Sequence, residues 1–225
     1  TLASTTISNL LLTGSATATN FFANNLTILA SSTIQKLFST SATATNLYST
    51  NFTHGSVSTF NNLGGLVGPF GGDYSGHPES IVFDADGNVY IGAVDGDNDV
   101  RKFDATGNLV AQFDVATEDR GSDWIDLAGD QCTMFYTSEG FLIKRFDVCN
   151  NVQLPDFANV SSAPSFALRI RPNGEVLVAS TSRVVRLDAS GNIIQTYPQP
   201  PSESSFFFAL NLDPDGTSFW TGGYS

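Results

Sequence analysis

The carboxylates of this chain are its main candidates for chemistry, because no Gly-rich phosphate loop, Cys/His cluster or Ser-His-Asp set is visible. Asp95, Asp97 and Asp99 in the run DGDND have the alternating spacing of the first half of a calcium loop. The twelfth position counted from Asp95 is Thr106, where an EF-hand needs Glu, so an EF-hand is excluded. We predict either weak calcium binding by these three carboxylates or a solvated acidic turn between two strands.

A second polar set recurs at one position of a strand-turn-strand repeat. Asp126, Arg169 and Asn211 each lie one residue into the first strand of three successive units. Side chains at that position face the neighbouring unit. We therefore predict an Asp126–Arg169 pair that joins two units, in a structural role rather than as a ligand site.

Large aromatic side chains form a third set. Trp124, Phe206, Phe207 and Trp220 could build a recognition patch, since exposed apolar clusters often mark binding surfaces. The alternative is that these rings pack between neighbouring units of the repeat. Both interpretations follow from the same residues.

The two cysteines are predicted to lie on one hairpin. Cys132 opens the strand CTMFYT, SEG forms the turn, and the strand FLIKRFDVC returns so that it ends at Cys149. Antiparallel pairing brings those two ends together, which predicts a disulfide and an oxidising compartment. The alternative is two buried thiols in a cytosolic protein.

The elements that position these residues come from a fourfold repeat, with turn positions Gly87, Gln131, Gly174 and Gly216 lying 44, 43 and 42 residues apart. Each unit opens with a strand, an acidic Gly turn and a second strand, and the first three add another pair, as in VRKFDATGNLVAQF. Four-stranded units of this period predict an all-β partial propeller of about three and a half blades. The fourth unit stops after two strands, so we expect more chain beyond Ser225.

Residues 77–225 resemble the NHL-repeat and gluconolactonase-like six-bladed propellers. The stretch GHPESIVFDADGNVYIGAVDGDNDVRKFDATGNLVAQF follows the NHL pattern closely, with Glu79-Ser80 where that family often has Gly. In the gluconolactonase group, the resemblance implies a divalent metal on the propeller axis, held by Glu, Asn and Asp. The equivalent positions here are Glu79, Asp123, Phe166 and Phe208, and two phenyl rings cannot be ligands of a hard cation. The pattern therefore disfavours that enzyme activity.

The N-terminal segment differs sharply in composition, because residues 1–72 contain one charged side chain, Lys36. The stretch SATATN occurs at 15–20 and again at 41–46. Residues 1–62 resemble the Thr/Asn/Ser-rich stalks of phage tail fibres and bacterial surface proteins, which implies a β-rich homo-oligomer. A flexible spacer and a β-layer packed on the propeller are the alternatives. The Gly-rich residues 63–76 are predicted to form an irregular junction between segment and propeller.

Charge and hydropathy limit the possible partners. A net charge of -12 with a pI near 4.2 argues against nucleic acid as a partner, and no apolar run is long enough for membrane insertion. We predict a non-enzymatic extracellular or cell-surface protein, a stalk or filament segment whose propeller binds a protein or glycan. The alternatives are a secreted propeller hydrolase or lyase, and a phage or viral fibre protein that recognises a host surface.

Overall fold

The computed structural model describes residues 55–72, 74–161, 163–201 and 206–224, together with the backbone of four strands between residues 7 and 34. The chain forms two compact units, Thr1–Ser49 and Thr50–Ser225. All regular elements in the described ranges are β-strands. No helix long and apolar enough to cross a membrane occurs in these ranges.

The N-terminal unit is built from parallel strand pairs. Its strands are β1 Ile7–Leu12, β2 Ala16–Ala18, β3 Ala23–Ile28 and β4 Ser32–Ile34. β1 pairs with β3 and β2 with β4, and in both pairs each partner lies 16 residues further along the chain. This step differs from the 26-residue offset of the SATATN repeat, whose second copy lies outside the described residues.

A hairpin opens the second unit. Its strands are β5 Val57–Phe60 and β6 Leu66–Phe70, which pair antiparallel. The structure thus differs from the expected irregular junction over 63–76, because part of that Gly-rich stretch continues into a strand. The glycines of this stretch lie in the turn and near a register shift between Thr59 and Phe60. At these places they do not prevent the two strands from pairing.

Three four-stranded antiparallel sheets and one two-stranded sheet follow, each with its strands in chain order. Sheet one comprises β7 His77–Phe83, β8 Val89–Val94, β9 Val100–Phe103 and β10 Leu109–Phe113. Sheet two comprises β11 Ile125–Leu127, β12 Thr133–Tyr136, β13 Leu142–Asp147 and β14 Val152–Asn159. Sheet three comprises β15 Ser165–Ile170, β16 Val176–Ser180, β17 Arg183–Leu187 and β18 Ile193–Pro198, and sheet four β19 Phe206–Leu212 and β20 Phe219–Tyr224. The predicted all-β fold with propeller-like sheets is confirmed.

Acidic turns close the hairpins as the sequence indicates. In the first, the Asp84 carboxylate accepts hydrogen bonds from the backbone and side-chain nitrogens of Asn88, while Gly87 adopts a φ of 83°. The pairs Asp104–Asn108 and Asp188–Asn192 repeat this arrangement. In each turn the Asp side chain accepts from amides two to four residues further along the chain, which have no ladder partner.

Apolar layers join each sheet to the next. Tyr90 of sheet one packs against Ile125 and Met134 of sheet two. Two further layers join sheets two and three (Phe135, Leu168, Val178) and sheets three and four (Leu177, Phe207, Leu210). In the first strands of sheets two to four, Ile125, Leu168 and Leu210 are buried. In sheet one, Ile81 and Phe83 share a face of β7 but are exposed, because no described sheet covers that face.

The predicted disulfide between Cys132 and Cys149 is confirmed. β12 and β13 pair with Thr133 opposite Asp147, and Val148 N donates to Cys132 O over 2.9 Å. The two cysteines therefore lie side by side at the end of this ladder. The bond indicates an oxidising compartment.

A substitution of Gly92 in β8 would test how closely sheets one and two pack. A Cβ atom there would collide with Ser122 O and lie 2.7 Å from Ser80 Oγ, both in tightly packed positions. We expect Gly92→Ala to lower the free energy of unfolding by about 1–3 kcal/mol, measured by urea denaturation with the disulfide intact. Gly129→Ala is the matched control, because nothing lies within 4 Å of its Cβ position. Equal loss of stability in both variants would contradict the proposed packing.

Candidate functional site

The first strands of the four sheets lie side by side, because β11 contacts both β7 and β15, and β15 contacts β19. We call the region where these strands begin the axial end. The four positions that the sequence places there are Glu79, Asp123, Phe166 and Phe208. Thr137 Oγ1 donates to Phe166 O over 2.9 Å and Thr137 O accepts from Asp123 N over 3.1 Å, which fixes two of these positions next to each other.

A pair of carboxyl groups, from the buried Asp123 and the partly buried Glu79, occupies one side of the axial end. Asp123 is 1% exposed, and neither of its carboxyl oxygens nor Glu79 Oε2 has a hydrogen-bond donor among the described residues. Two ionised carboxylates have no proton to share, so only protonation of one lets them bond to each other. Burial, then the neighbouring Glu79 and Glu139, raises the pKa of Asp123 to about 9. The pair therefore holds a proton at neutral pH.

Charged side chains at the surface surround this pair without neutralising it. Arg120 donates to Asp95 Oδ2 over 2.7 Å and to Glu139 Oε1 over 3.2 Å. His77 Nδ1 also lies 3.4 Å from Asp95 Oδ2. Burial raises the pKa of Glu139 although Arg120 opposes that shift. Because the guanidinium is already shared by Asp95 and Glu139, its charge compensates Asp123 only in part.

Aromatic rings fill the other side of the axial end. The Phe166 ring lies 5.5 Å from that of Phe208 and 6.2 Å from that of Phe206. Within the described ranges, no group of three or more His, Cys, Asp or Glu side chains is placed to hold a metal ion. The orphaned oxygens of Glu79 and Asp123 would suit a cation, but the phenyl rings would not. The residues present thus do not fit the divalent metal that the gluconolactonase resemblance implies.

The acidic loop Asp95, Asp97 and Asp99 directs its three carboxylates to different partners. Asp97 forms an ion pair with Arg101, Asp99 accepts from Gln112 Nε2 over 2.5 Å, and Asp95 is bound by Arg120 as described above. Positive φ angles at Asp95 and Asn98 turn the loop back on itself. Calcium binding here stays a prediction, and a cation would have to compete with the two arginines.

Asp126 joins two sheets, but its direct partner is a backbone group. Its Oδ2 accepts from Ile170 N of sheet three over 2.9 Å. Burial raises the pKa of Asp126, and the bond from Ile170 and the charge of Arg169 oppose that rise. The Arg169 guanidinium instead lies 4.8 Å from the Trp124 ring and donates to Asn211 Oδ1 over 3.4 Å. The predicted Asp126–Arg169 pair is thus an electrostatic interaction within a wider network.

An aromatic cleft of about 330 Å³ adjoins this network, and its lining residues are Trp124, Arg169, Ala209, Leu210, Asn211, Trp220, Thr221 and Gly222. Trp220 is 72% exposed, and Trp124 Nε1 is buried without a hydrogen-bond partner among the described residues. Of the other predicted surface aromatics, Phe206 is about half exposed, whereas Phe207 is buried against sheet three. Strand alternation on β19 explains that difference, because neighbouring side chains point to opposite faces.

Several site residues escaped the sequence reasoning. Arg120, Glu139 and Thr137 lie in the loop before β11 and at the turn after β12, where no repeat pattern marks a functional position. The acidic character of those loops was the available signal. These three residues come close to the carboxyl pair only through the packing of sheets one and two.

Comparison with known proteins supports the fold and leaves the function open. Residues 72–97, which include β7 and β8, match the sequence model of the family described as strictosidine synthase-like, N-terminal. A search of curated proteins gives no match to the chain. The chain thus contains a segment similar to that propeller family, within sheets of the kind that form propeller blades.

The Asp123 pKa predicts a pH dependence of stability. In the unfolded chain this carboxyl ionises near its ordinary 3.8, whereas the folded chain keeps the proton up to about 9. Between those values the folded state binds more protons, so the free energy of unfolding decreases as the pH rises. We expect Asp123→Asn to flatten this decrease between pH 5 and pH 8 and to stabilise the protein at pH 8, measured by urea denaturation.

Asp104→Asn is the control for that measurement. Asn108 and Thr106 donate to the Asp104 carboxylate and hold its pKa well below the usual range. Its titration therefore lies outside the interval from pH 5 to pH 8, and its removal should leave the slope unchanged. An Asp123→Asn slope equal to that of the wild type would mean that Asp123 is ionised in the folded protein.

Proposed function

We propose that this chain is a non-enzymatic extracellular binding protein, in which a self-associating N-terminal segment carries a propeller-like module that recognises a partner. The observation that carries this proposal is the aromatic character of the axial end. Phe166 and Phe208 are in ring contact at two of its four positions, where a metal-dependent hydrolase would need oxygen ligands. Ring surfaces at these positions favour binding of a partner through apolar contacts.

The aromatic cleft best suits an uncharged glycan. Trp220 offers an exposed indole face for the apolar face of a sugar ring, and Trp124 lines the cleft beneath the Arg169 guanidinium. The Asn211 amide and the Arg169 guanidinium offer polar atoms for hydroxyl groups. The nearby Asp126 carboxyl group favours the charged form of Arg169, although burial opposes it. The net charge of -12 of the chain disfavours an anionic ligand.

The disulfide supports the extracellular setting, because such bonds persist in oxidising compartments. The strongly acidic composition is compatible with a soluble surface module that avoids nucleic acids. We propose self-association through residues 1–62 because their Thr/Asn/Ser-rich sequence is almost uncharged.

Trp220→Ala tests the cleft. On an array of neutral oligosaccharides, we expect the full chain to bind one or more members, and calorimetry should give an affinity at least about tenfold lower for Trp220→Ala. Phe83→Ala is the matched control, because the Phe83 ring is also exposed but does not line the cleft. Equal effects of both substitutions, or no glycan binding by the wild type, would rule out this cleft as a glycan site.

A second candidate, a secreted propeller hydrolase, is favoured by one observation: the unpartnered buried oxygens of Glu79 and Asp123. Such oxygens are satisfied in many enzymes by a divalent cation. Elemental analysis of the dialysed protein separates the two candidates. We expect no stoichiometric Ca²⁺, Mg²⁺, Mn²⁺ or Zn²⁺, whereas one retained equivalent that is lost in Glu79→Gln would establish the enzyme-like site.

A further inference from the structure

The β5–β6 hairpin carries an apolar outer face that no described residue covers. Phe60, Leu63, Leu66 and Val67 are 64%, 89%, 65% and 68% exposed. Phe60 and Leu66 are register partners, and Leu63 stands at the turn between them. Four large apolar side chains are thus exposed on one short hairpin, and exposed apolar groups clustered in this way often mark a contact surface.

The turn between β5 and β6 is ordered by hydrogen bonds to Asn61. Asn61 Oδ1 accepts hydrogen bonds from Leu63 N over 3.0 Å and from Gly65 N over 2.8 Å. Asn61 N donates to Gly65 O over 2.9 Å. Three bonds to a single residue fix the turn, so Leu63 is presented to solvent by the fold.

The inner face of the hairpin is already occupied. Val57 and Phe70 pack against a buried cluster of sheet one that includes Val89, Ile91 and Phe103. The Phe70 and Phe103 rings meet edge to face at 5.8 Å. The inner residues are thus held against sheet one, and no residue in the described ranges covers the outer ones.

Charge indicates what that molecule is. Residues 55–72 contain no Asp, Glu, Lys or Arg, although the chain has a net charge of -12. A second copy of the chain meets strong repulsion at most other surfaces, since like charges oppose contact. At this hairpin two copies can meet without juxtaposing any carboxylates, and apolar side chains cover apolar side chains on both sides.

We infer that the outer face of the β5–β6 hairpin is a contact surface between copies of this chain. The inference rests on the self-association proposed above and assigns part of it to Phe60, Leu63, Leu66 and Val67. The first strand of the hairpin, β5, lies at the end of the segment proposed to associate, and the whole hairpin shares its uncharged composition. An interface there would extend that association to the edge of the propeller-like module.

Sizing of the full chain by light scattering and sedimentation tests the assembly. We expect a concentration-dependent oligomer, and we expect the double substitution Leu63→Ser with Leu66→Ser to raise its dissociation constant at least about tenfold, because two apolar side chains no longer leave water. The control is Ile193→Ser with Ile194→Ser, which removes two exposed apolar side chains from β18. The control should assemble as the wild type does.

A cross-link locates the contact. Both native cysteines are in the disulfide, so Leu63→Cys introduces the single free thiol of the chain. A short bis-maleimide should join two copies through position 63, whereas Ile193→Cys should give little product. An oligomer that persists in the serine variant without cross-linking at 63 would overturn this inference while leaving self-association through residues 1–62 intact.

A monomeric wild type at every concentration would overturn both the inference and the proposed self-association. Glycan binding could still be measured on that monomer, so the two parts of the proposed function fail separately. Protection of the thiol at 63 by phosphatidylcholine vesicles, with a monomeric chain, would identify a lipid surface as the occupant and would also overturn the inference.

Discussion

The packing of each sheet on the next is the constraint on which the rest of this structure depends. A single four-stranded sheet has two faces, and its inner face becomes stable only when a neighbouring sheet removes its apolar side chains from water. Ile125 and Leu168 are fully buried in this way. The fit is close, because Gly92 leaves no room for a methyl group. Once the sheets are packed, equivalent positions of the repeat become neighbours at the axial end.

That packing also creates the electrostatic problem at the axial end. Glu79 and Asp123 occupy equivalent positions in the repeat, so the fold places two carboxyl groups together in a buried site. The raised pKa of Asp123 reduces this repulsion, since a protonated carboxyl group carries no charge, while Arg120 is bound by Asp95 and Glu139. Phe166 and Phe208 occupy the equivalent positions of the repeat, where their uncharged rings contact each other. One architecture thus supports polar and apolar chemistry side by side.

Much of the fold could be predicted from local signals, and the failures have physical causes. Period, alternation and turn chemistry identify the sheets, and strand pairing brings Cys132 to Cys149. Alternation cannot say which neighbour covers a face, so it left open whether Phe207 is buried and whether Ile81 is exposed. The glycines suggested an irregular segment where β6 forms, because the propensity of single residues carries no information about a partner strand. The site residues Arg120 and Glu139 come together only through tertiary structure.

Charge is distributed unevenly along the chain. Beyond residue 72 the sheets carry nearly all charged side chains, and their exposed carboxylates keep the module soluble and discourage non-specific contact. Before that point the chain has almost no electrostatic means of preventing association, and its strands pair in parallel through backbone groups. The β5–β6 hairpin lies at this transition, because its inner face belongs to the core of sheet one and its outer face has the neutral, apolar character of the preceding segment. A contact surface at that point would let copies associate while their acidic sheets remain in solvent.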